Sequence, residues 1–209
     1  MKVLLINGSP NEKGCTFTAL SEVCKGLIAA GLETEIVHVG DKQIAGCKAC
    51  YRCLPPEGNL CIIDDDIVNE VVRKALAADA IILGTPVYYG GIAGNFKTFL
   101  DRFFQGGRKS FATKLGAAVV SCRRAGASGT FDQLNHFFTL SSMPVVASQY
   151  WNLVHGAKPE DLLKDEEGMQ TMRTLAKNMA WLLASIEAGR NAGIEKPAYE
   201  PLKRTNFIR

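Results

Sequence analysis

The sequence predicts a doubly wound α/β fold, a three-layer sandwich whose five-stranded parallel sheet runs in the order 2-1-3-4-5 with helices on both faces. Three observations carry this expectation. Short apolar runs alternate with longer amphipathic stretches along the chain. The runs are continuous and rich in Val and Ile, as strands buried on both faces of a parallel sheet are. At 209 residues, five strand–helix units fit one domain better than a six-strand dinucleotide fold does.

The strands are expected at Val3 to Ile6, Ile36 to Val39, Ala80 to Leu83, Ala117 to Val120 and Val145 to Ala147. Between them, Thr18 to Ala30 carries Leu20, Val23, Leu27 and Ile28 at helical spacing, with Gly31 as C-cap. Ile67 to Ala77 has Asp64, Asp65 and Asp66 at its N-terminal end, where acidic groups favour the helix dipole. Asn95 to Phe104, Ser128 to Leu140 and a long stretch from about Glu166 to Glu187 supply the other helices. Right-handed crossovers join such units into one sheet. Residues 1–189 should form the cofactor-binding domain. The polar tail 190–209, with Pro197 and Pro201, should be an arm of the same domain lying on this subunit or a neighbour.

Composition narrows the function. Apolar residues make up 47% and charged residues 22%, which excludes disorder and coiled coil as the main architecture. A net charge of +3, from 24 basic and 21 acidic residues, is too small and dispersed to argue for nucleic acid. No apolar run approaches the roughly 20 residues of a membrane span, and no cleavable signal pattern opens the chain. The expected setting is cytoplasmic, with the seven cysteines mostly reduced.

In such a sheet, ligands bind outside the carboxyl ends of the strands, where strand order reverses. After strand one, the loop from Asn7 to Thr18 offers glycines, hydroxyls and the free amides of a helix N-terminus, a combination that suits a terminal phosphate on Ser9, Asn11, Thr16 and Thr18. It is neither a Walker loop nor a G-x-G-x-x-G turn, and an ordinary turn capped by Thr16 is the other reading. After strand three, Tyr88 and Tyr89 stand among glycines, as a flat aromatic ligand would require. After strand four, Arg123 and Arg124 could reach a phosphate or could be solvated surface charges. After strand five, Trp151 and His155 could line a substrate cavity, the alternative being that Trp151 packs in the core or at a subunit contact.

Four of the cysteines crowd together as Cys47-x2-Cys50-x2-Cys53-x7-Cys61, after strand two. Thiolates are soft ligands that suit iron–sulfur clusters or zinc. Two successive x2 gaps resemble the compact run of bacterial ferredoxins, whereas structural zinc more often uses two separated pairs. A [4Fe–4S] cluster, a zinc ion, reduced thiols and a labile disulfide all remain open at this point.

Gly8-Ser9-Pro10, Gly14-Cys15-Thr16, Thr85-Pro86-Val87-Tyr88, the cysteine run and the ending Arg204 to Arg209 together resemble the NADPH-dependent FMN reductase and iron–sulfur flavoprotein group. The resemblance spans essentially the whole chain. It implies a flavodoxin-like fold, bound FMN and a homodimer or homotetramer. By that resemblance, Ser9, Asn11, Cys15, Thr16 and Thr18 would hold the phosphate. Pro86, Val87, Tyr88, Tyr89 and Gly90 would face the isoalloxazine, and Ser121, Arg123, Arg124 and Gly126 would close the pocket. Cys47, Cys50, Cys53 and Cys61 would be the cluster ligands. Many relatives have Arg in place of Asn11 and Asn in place of Cys15, so the phosphate contacts here are less charged.

The implied function is electron transfer from NAD(P)H or a ferredoxin-like donor, through FMN, to a quinone, a flavin or an iron–sulfur partner. With FMN supplying the chemistry, no protein acid or base need take part, and no catalytic side chain is assigned. The rival expectation is a flavodoxin-type electron carrier or redox sensor without a small-molecule substrate. Nucleic acid and membrane are not expected partners.

Overall fold

The computed structural model describes residues 1–54, 60–201, 203 and 205. Its elements are β1 (Lys2–Asn7), α1 (Cys15–Ala29), β2 (Glu33–His38), α2 (Val68–Ala77), β3 (Ala80–Tyr88), β4 (Gly91–Ile92), α3 (Gly94–Phe111), β5 (Leu115–Cys122), α4 (Ala127–Leu140), β6 (Leu153–His155), α5 (Pro159–Leu162) and α6 (Glu166–Asn191). The sheet order is β2-β1-β3-β5-β6, all parallel, which is the expected 2-1-3-4-5 arrangement. The short β4 adds an antiparallel hairpin to the end of β3. No helix among the described residues is long and apolar enough to cross a membrane.

Alternation along the strands divides the core into two layers. Leu4 and Ile6 of β1, Ile81 and Leu83 of β3, and Ala118 and Val120 of β5 face α2, α3 and α4. Val3 and Leu5, Ala80 and Ile82, and Ala117 and Val119 face α1 and α6. The first layer is filled by phenylalanines. Phe96, Phe99 and Phe103 of α3 stack in series, with ring centroids 5.9 and 5.2 Å apart. This stack fixes α3 against the sheet, and α3 in turn positions both regions described below.

One strand lies elsewhere than the sequence indicates. Val145 to Ala147 touches the sheet through a single bridge to Gly116, and the fifth strand proper is Leu153–His155, which starts opposite Val120. Eight residue steps on this edge strand thus match four on β5. Local partners explain the break. Asn178 of α6 donates to the Ala147 carbonyl at 2.7 Å, and the Ser148 hydroxyl takes the Tyr150 amide at 3.3 Å, so these groups leave the ladder. An edge strand has no outer neighbour to enforce continuity.

The tail departs from α6 two residues beyond the expected start of the arm, and Ile194 folds back so that its amide donates to the Gly189 carbonyl at 2.9 Å. The ending Arg204 to Arg209 lies, apart from Thr205, outside the described residues.

Candidate functional site

A cavity of about 580 Å³ opens at the carboxyl edge of the sheet. Four loops build it: the β1–α1 loop, the end of β3, the end of β5, and the turn between β6 and α5. The β1–α1 loop is held from below. Asn7 accepts from the Ser9 amide at 3.1 Å and donates to the Glu12 carbonyl at 2.9 Å, while His38 Nε2 donates to the Ser9 carbonyl at 2.7 Å. The chain passes so close that a Cβ on Gly40 would fall 2.0 Å from the Ser9 carbonyl oxygen.

Helix α1 begins at the cavity wall with Gly14 as its N-cap and no side-chain cap. Its first turn holds no acidic residue, so the free amides and the positive end of the dipole are open to an anion. Lys13, Arg123 and Lys158 line the same cavity. Thr16 Oγ1 and Ser121 Oγ, both buried, share a hydrogen bond of 2.8 Å that joins the start of α1 to the end of β5. Cys15 Sγ donates to the Gly156 carbonyl at 3.6 Å, and the Gly156 amide donates to the Cys122 carbonyl at 3.0 Å. Burial pushes the thiols of Cys15 and Cys122 above the usual cysteine range, which keeps them protonated and uncharged beside the anion-friendly wall.

Of the residues singled out from the sequence, Ser9, Asn11, Cys15, Thr16, Pro86, Val87, Tyr88, Ser121 and Arg123 line this cavity. Thr18, Tyr89, Gly90, Arg124 and Gly126 stand off its wall. Thr18 lies a turn into α1 and donates to the Gly14 carbonyl at 3.2 Å. Tyr89 and Gly90 form the two-residue turn of the β3–β4 hairpin with φ of 49° and 76°, which leaves the Tyr89 ring fully exposed. Gly126, at φ 86°, is the N-cap of α4, where an added Cβ would meet Gly90 Cα at 2.9 Å. Arg124 is exposed.

Trp151 and His155 do not line the cavity. Trp151 packs against Tyr150 on the surface, with centroids 5.4 Å apart, and so is not in the core either. The displaced fifth strand is the reason: the residues that emerge at the carboxyl edge are Gly156 to Pro159. Lys158, which also lines the cavity, was missed for the same reason. The carboxyl-edge rule would have found it had the strand been set at Leu153.

The four clustered cysteines lie apart from this cavity. Cys47, Cys50, Cys53 and Cys61 all line one small cavity of about 20 Å³, closed by Ile62, Ile63, Arg102 and Gln105. Cys47 and Cys50 are exposed and Cys53 is buried. Burial pushes the Cys53 thiol up, and the nearby Cys61, Cys47 and Cys50 add to the shift. Among the described residues, no three His, Cys, Asp or Glu side chains stand close enough to hold a metal ion. The donor set nonetheless fits an iron–sulfur cluster: four thiols on one cavity with apolar walls.

The sheet order and its carboxyl-edge cavity define a flavodoxin-like α/β protein. Among solved structures, the chain superposes on RosB with bound 8-demethyl-8-formylriboflavin-5'-phosphate (TM-score 0.69, 16% identity, 100% of this chain and 94% of that one) and on a flavodoxin from the domain Archaea (TM-score 0.59, 14% identity, 88% and 99%). The sequence model of the NADPH-dependent FMN reductase family matches residues 1–158, and the chain belongs to that family. It is thus a flavoprotein oxidoreductase with FMN as cofactor. Relatives include an iron–sulfur flavoprotein of Methanocaldococcus jannaschii, 36% identical and covering 90% of this chain and all of that protein. Another is an iron–sulfur flavoprotein of Methanosarcina thermophila, 34% identical over 91% of this chain and all of that protein. The cavity fits the cofactor: uncapped amides and three cations suit the phosphate, and its volume suits a mononucleotide.

Proposed function

We propose that the chain passes electrons from NAD(P)H, through FMN in the carboxyl-edge cavity, to a quinone, flavin or iron–sulfur acceptor. Ser9, Asn11, Cys15 and Thr16 would hold the phosphate against the open end of α1, with Lys13 and Lys158 balancing its charge. Pro86 to Tyr88 would lie along the isoalloxazine, and Ser121 to Arg123 would close the opposite side. Bound FMN accepts a pair of electrons as hydride at N5 and can return them singly or together. The protein's part is to bind, orient and limit water. The uncapped start of α1, on one cavity with Lys13, Arg123 and Lys158, is the observation that carries this reading.

The test is anaerobic mixing of the FMN-loaded protein with NADPH or NADH, followed by flavin absorbance. Prompt bleaching, then reoxidation by a quinone, free flavin or ferric chelate, is the expected result. No bleaching with either nucleotide would remove the nicotinamide donor.

The four cysteines on one cavity favour a second donor. Holding a [4Fe–4S] cluster, they would receive single electrons from a ferredoxin-like protein and deliver them to FMN. The two archaeal relatives are iron–sulfur flavoproteins, which supports a cluster at this site. Anaerobic reconstitution should give about four irons per chain, as a four-thiolate cluster site requires.

A further inference from the structure

Arg102 is the most completely enclosed charge in the core. It sits on α3, its side chain sealed from solvent. Among the described residues, its bonds go to the cysteine-bearing segment or its flank. Nε donates to Cys61 Sγ at 3.4 Å, Nη2 to the Ile63 carbonyl at 2.6 Å, and Nη1 to the Ala45 carbonyl at 3.2 Å and to Asp66 Oδ2. One guanidinium thus grips the chain before Cys47 and again at and after Cys61.

Such a group is not the cheapest way to fill a core. A buried ion pair is often no more stabilising than apolar residues of the same volume. Asp66 alone would satisfy the charge, yet three other bonds are aimed at this segment. The remaining side of Cys61 is held by Asn69 of α2, itself buried, which accepts from the Cys61 amide at 2.8 Å and donates to the Cys61 carbonyl at 2.8 Å. Cys61 is therefore fixed at backbone and sulfur, while Cys47 and Cys50 are exposed. The four thiols are unequal: one is an anchor, and two lie on the surface.

We propose that Arg102 is a positioning residue for the cysteine site, fixing Cys61 as its preset ligand and, through the bond to sulfur, favouring the reduced state of the cluster held there. This rests on the cluster reading under Proposed function. An N–H donor on a ligand sulfur stabilises the extra negative charge of the reduced cluster and so raises its potential. Only the planar fork of an arginine can reach a thiol, two carbonyls and a carboxylate together. A lysine keeps the charge and loses the fork.

The experiment compares the wild-type chain, Arg102→Lys, and the paired Arg102→Gln, Asp66→Asn change, all FMN-loaded and reconstituted anaerobically with iron and sulfide. The lysine variant keeps the partner for Asp66, and the paired change removes both charges, so neither strands a buried ion. Both should retain FMN. Both should lose iron to a chelator about 10- to 100-fold more readily, the usual cost of losing a group that supports a metal ligand. The cluster potential should fall, and a tenfold change in the one-electron constant would read as about 59 mV. Unchanged iron retention and potential in both variants would overturn the proposal. So would a lower melting temperature with an unchanged potential, which marks a merely structural role. Wild-type protein that takes up no iron or sulfide would overturn the cluster reading itself, and this proposal with it.

Discussion

Thr16 Oγ1 and Ser121 Oγ meet at 2.8 Å in the buried floor between α1 and β5. The pair locks the anion-facing end of α1 to the strand that forms the opposite wall. Ser121→Ala leaves the Thr16 hydroxyl without this partner and should cost about 1–3 kcal/mol. FMN affinity should fall several-fold with it. Urea melts of the apoprotein and a flavin fluorescence titration measure the two effects. Adding Thr16→Val should cost less than the sum of the single changes, because the two hydroxyls act as one unit.

Lys158 tests the phosphate assignment. Lys158→Met should weaken FMN about tenfold, the equivalent of roughly 1.4 kcal/mol for one charge-assisted contact. Riboflavin, which lacks the phosphate, should bind wild type and variant alike. The variant's FMN affinity should also depend less on salt. Equal losses for FMN and riboflavin would place Lys158 away from the phosphate.

Gly40 sets the height of the β1–α1 loop. In Gly40→Ala the new Cβ would stand 2.0 Å from the Ser9 carbonyl oxygen and 2.3 Å from its carbon, and backbone cannot rotate away. The expected loss is about 1–3 kcal/mol of stability, the cost of overpacking, together with weaker FMN. Gly46→Ala, with open space around the added carbon, is the control and should leave both unchanged.

Of the parallel strands, β1, β3 and β5 were legible as unbroken apolar runs buried on both faces, and the edge strand β2 only through Ile36 to His38, since Glu33, Thr34 and Glu35 open it. The fifth was not. Val145 and Val146 look like a strand and do touch Gly116, but the ladder breaks because Asn178, far along the chain on α6, takes the Ala147 carbonyl. That competition is tertiary and leaves no periodic trace. The site followed the same pattern. Residues on β1, β3 and β5 loops were found by position, and the Gly156–Pro159 wall was lost with its strand. Arg102 showed no signal either. Its neighbours Phe99, Leu100 and Phe103 mark it as lying in a buried stretch, and nothing local says that a cation belongs there.

Thiol reactivity should follow burial. Cys47 and Cys50 are exposed, while burial raises the thiols of Cys15, Cys24, Cys53 and Cys122 above their ordinary range. The thiolate is the reacting form. In anaerobic apoprotein at pH 7, iodoacetamide should label Cys47 and Cys50 first. The raised thiols should gain reactivity only as pH climbs past the usual cysteine value, since deprotonation comes later for them. Peptide mass spectrometry at pH 7 and pH 9.5 reads both statements. Early labelling of Cys122 would contradict them.

The broken edge strand also protects the molecule from its own kind. An open parallel sheet ends in unpaired amides and carbonyls, a template on which another chain can add a strand. At β6 the paired run is short, since between the bridge at Val145 and Leu153 the segment makes no ladder pairing with β5. The opposite border, β2, is guarded by charge, with Glu33 and Glu35 bound to Lys2, and Glu35 also to Lys74. Closing the gap at β6 by deleting four residues between Ala147 and Asn152 would lengthen a flat, apolar border. The shortened protein should form sheet-rich aggregates at concentrations where the natural chain stays dispersed.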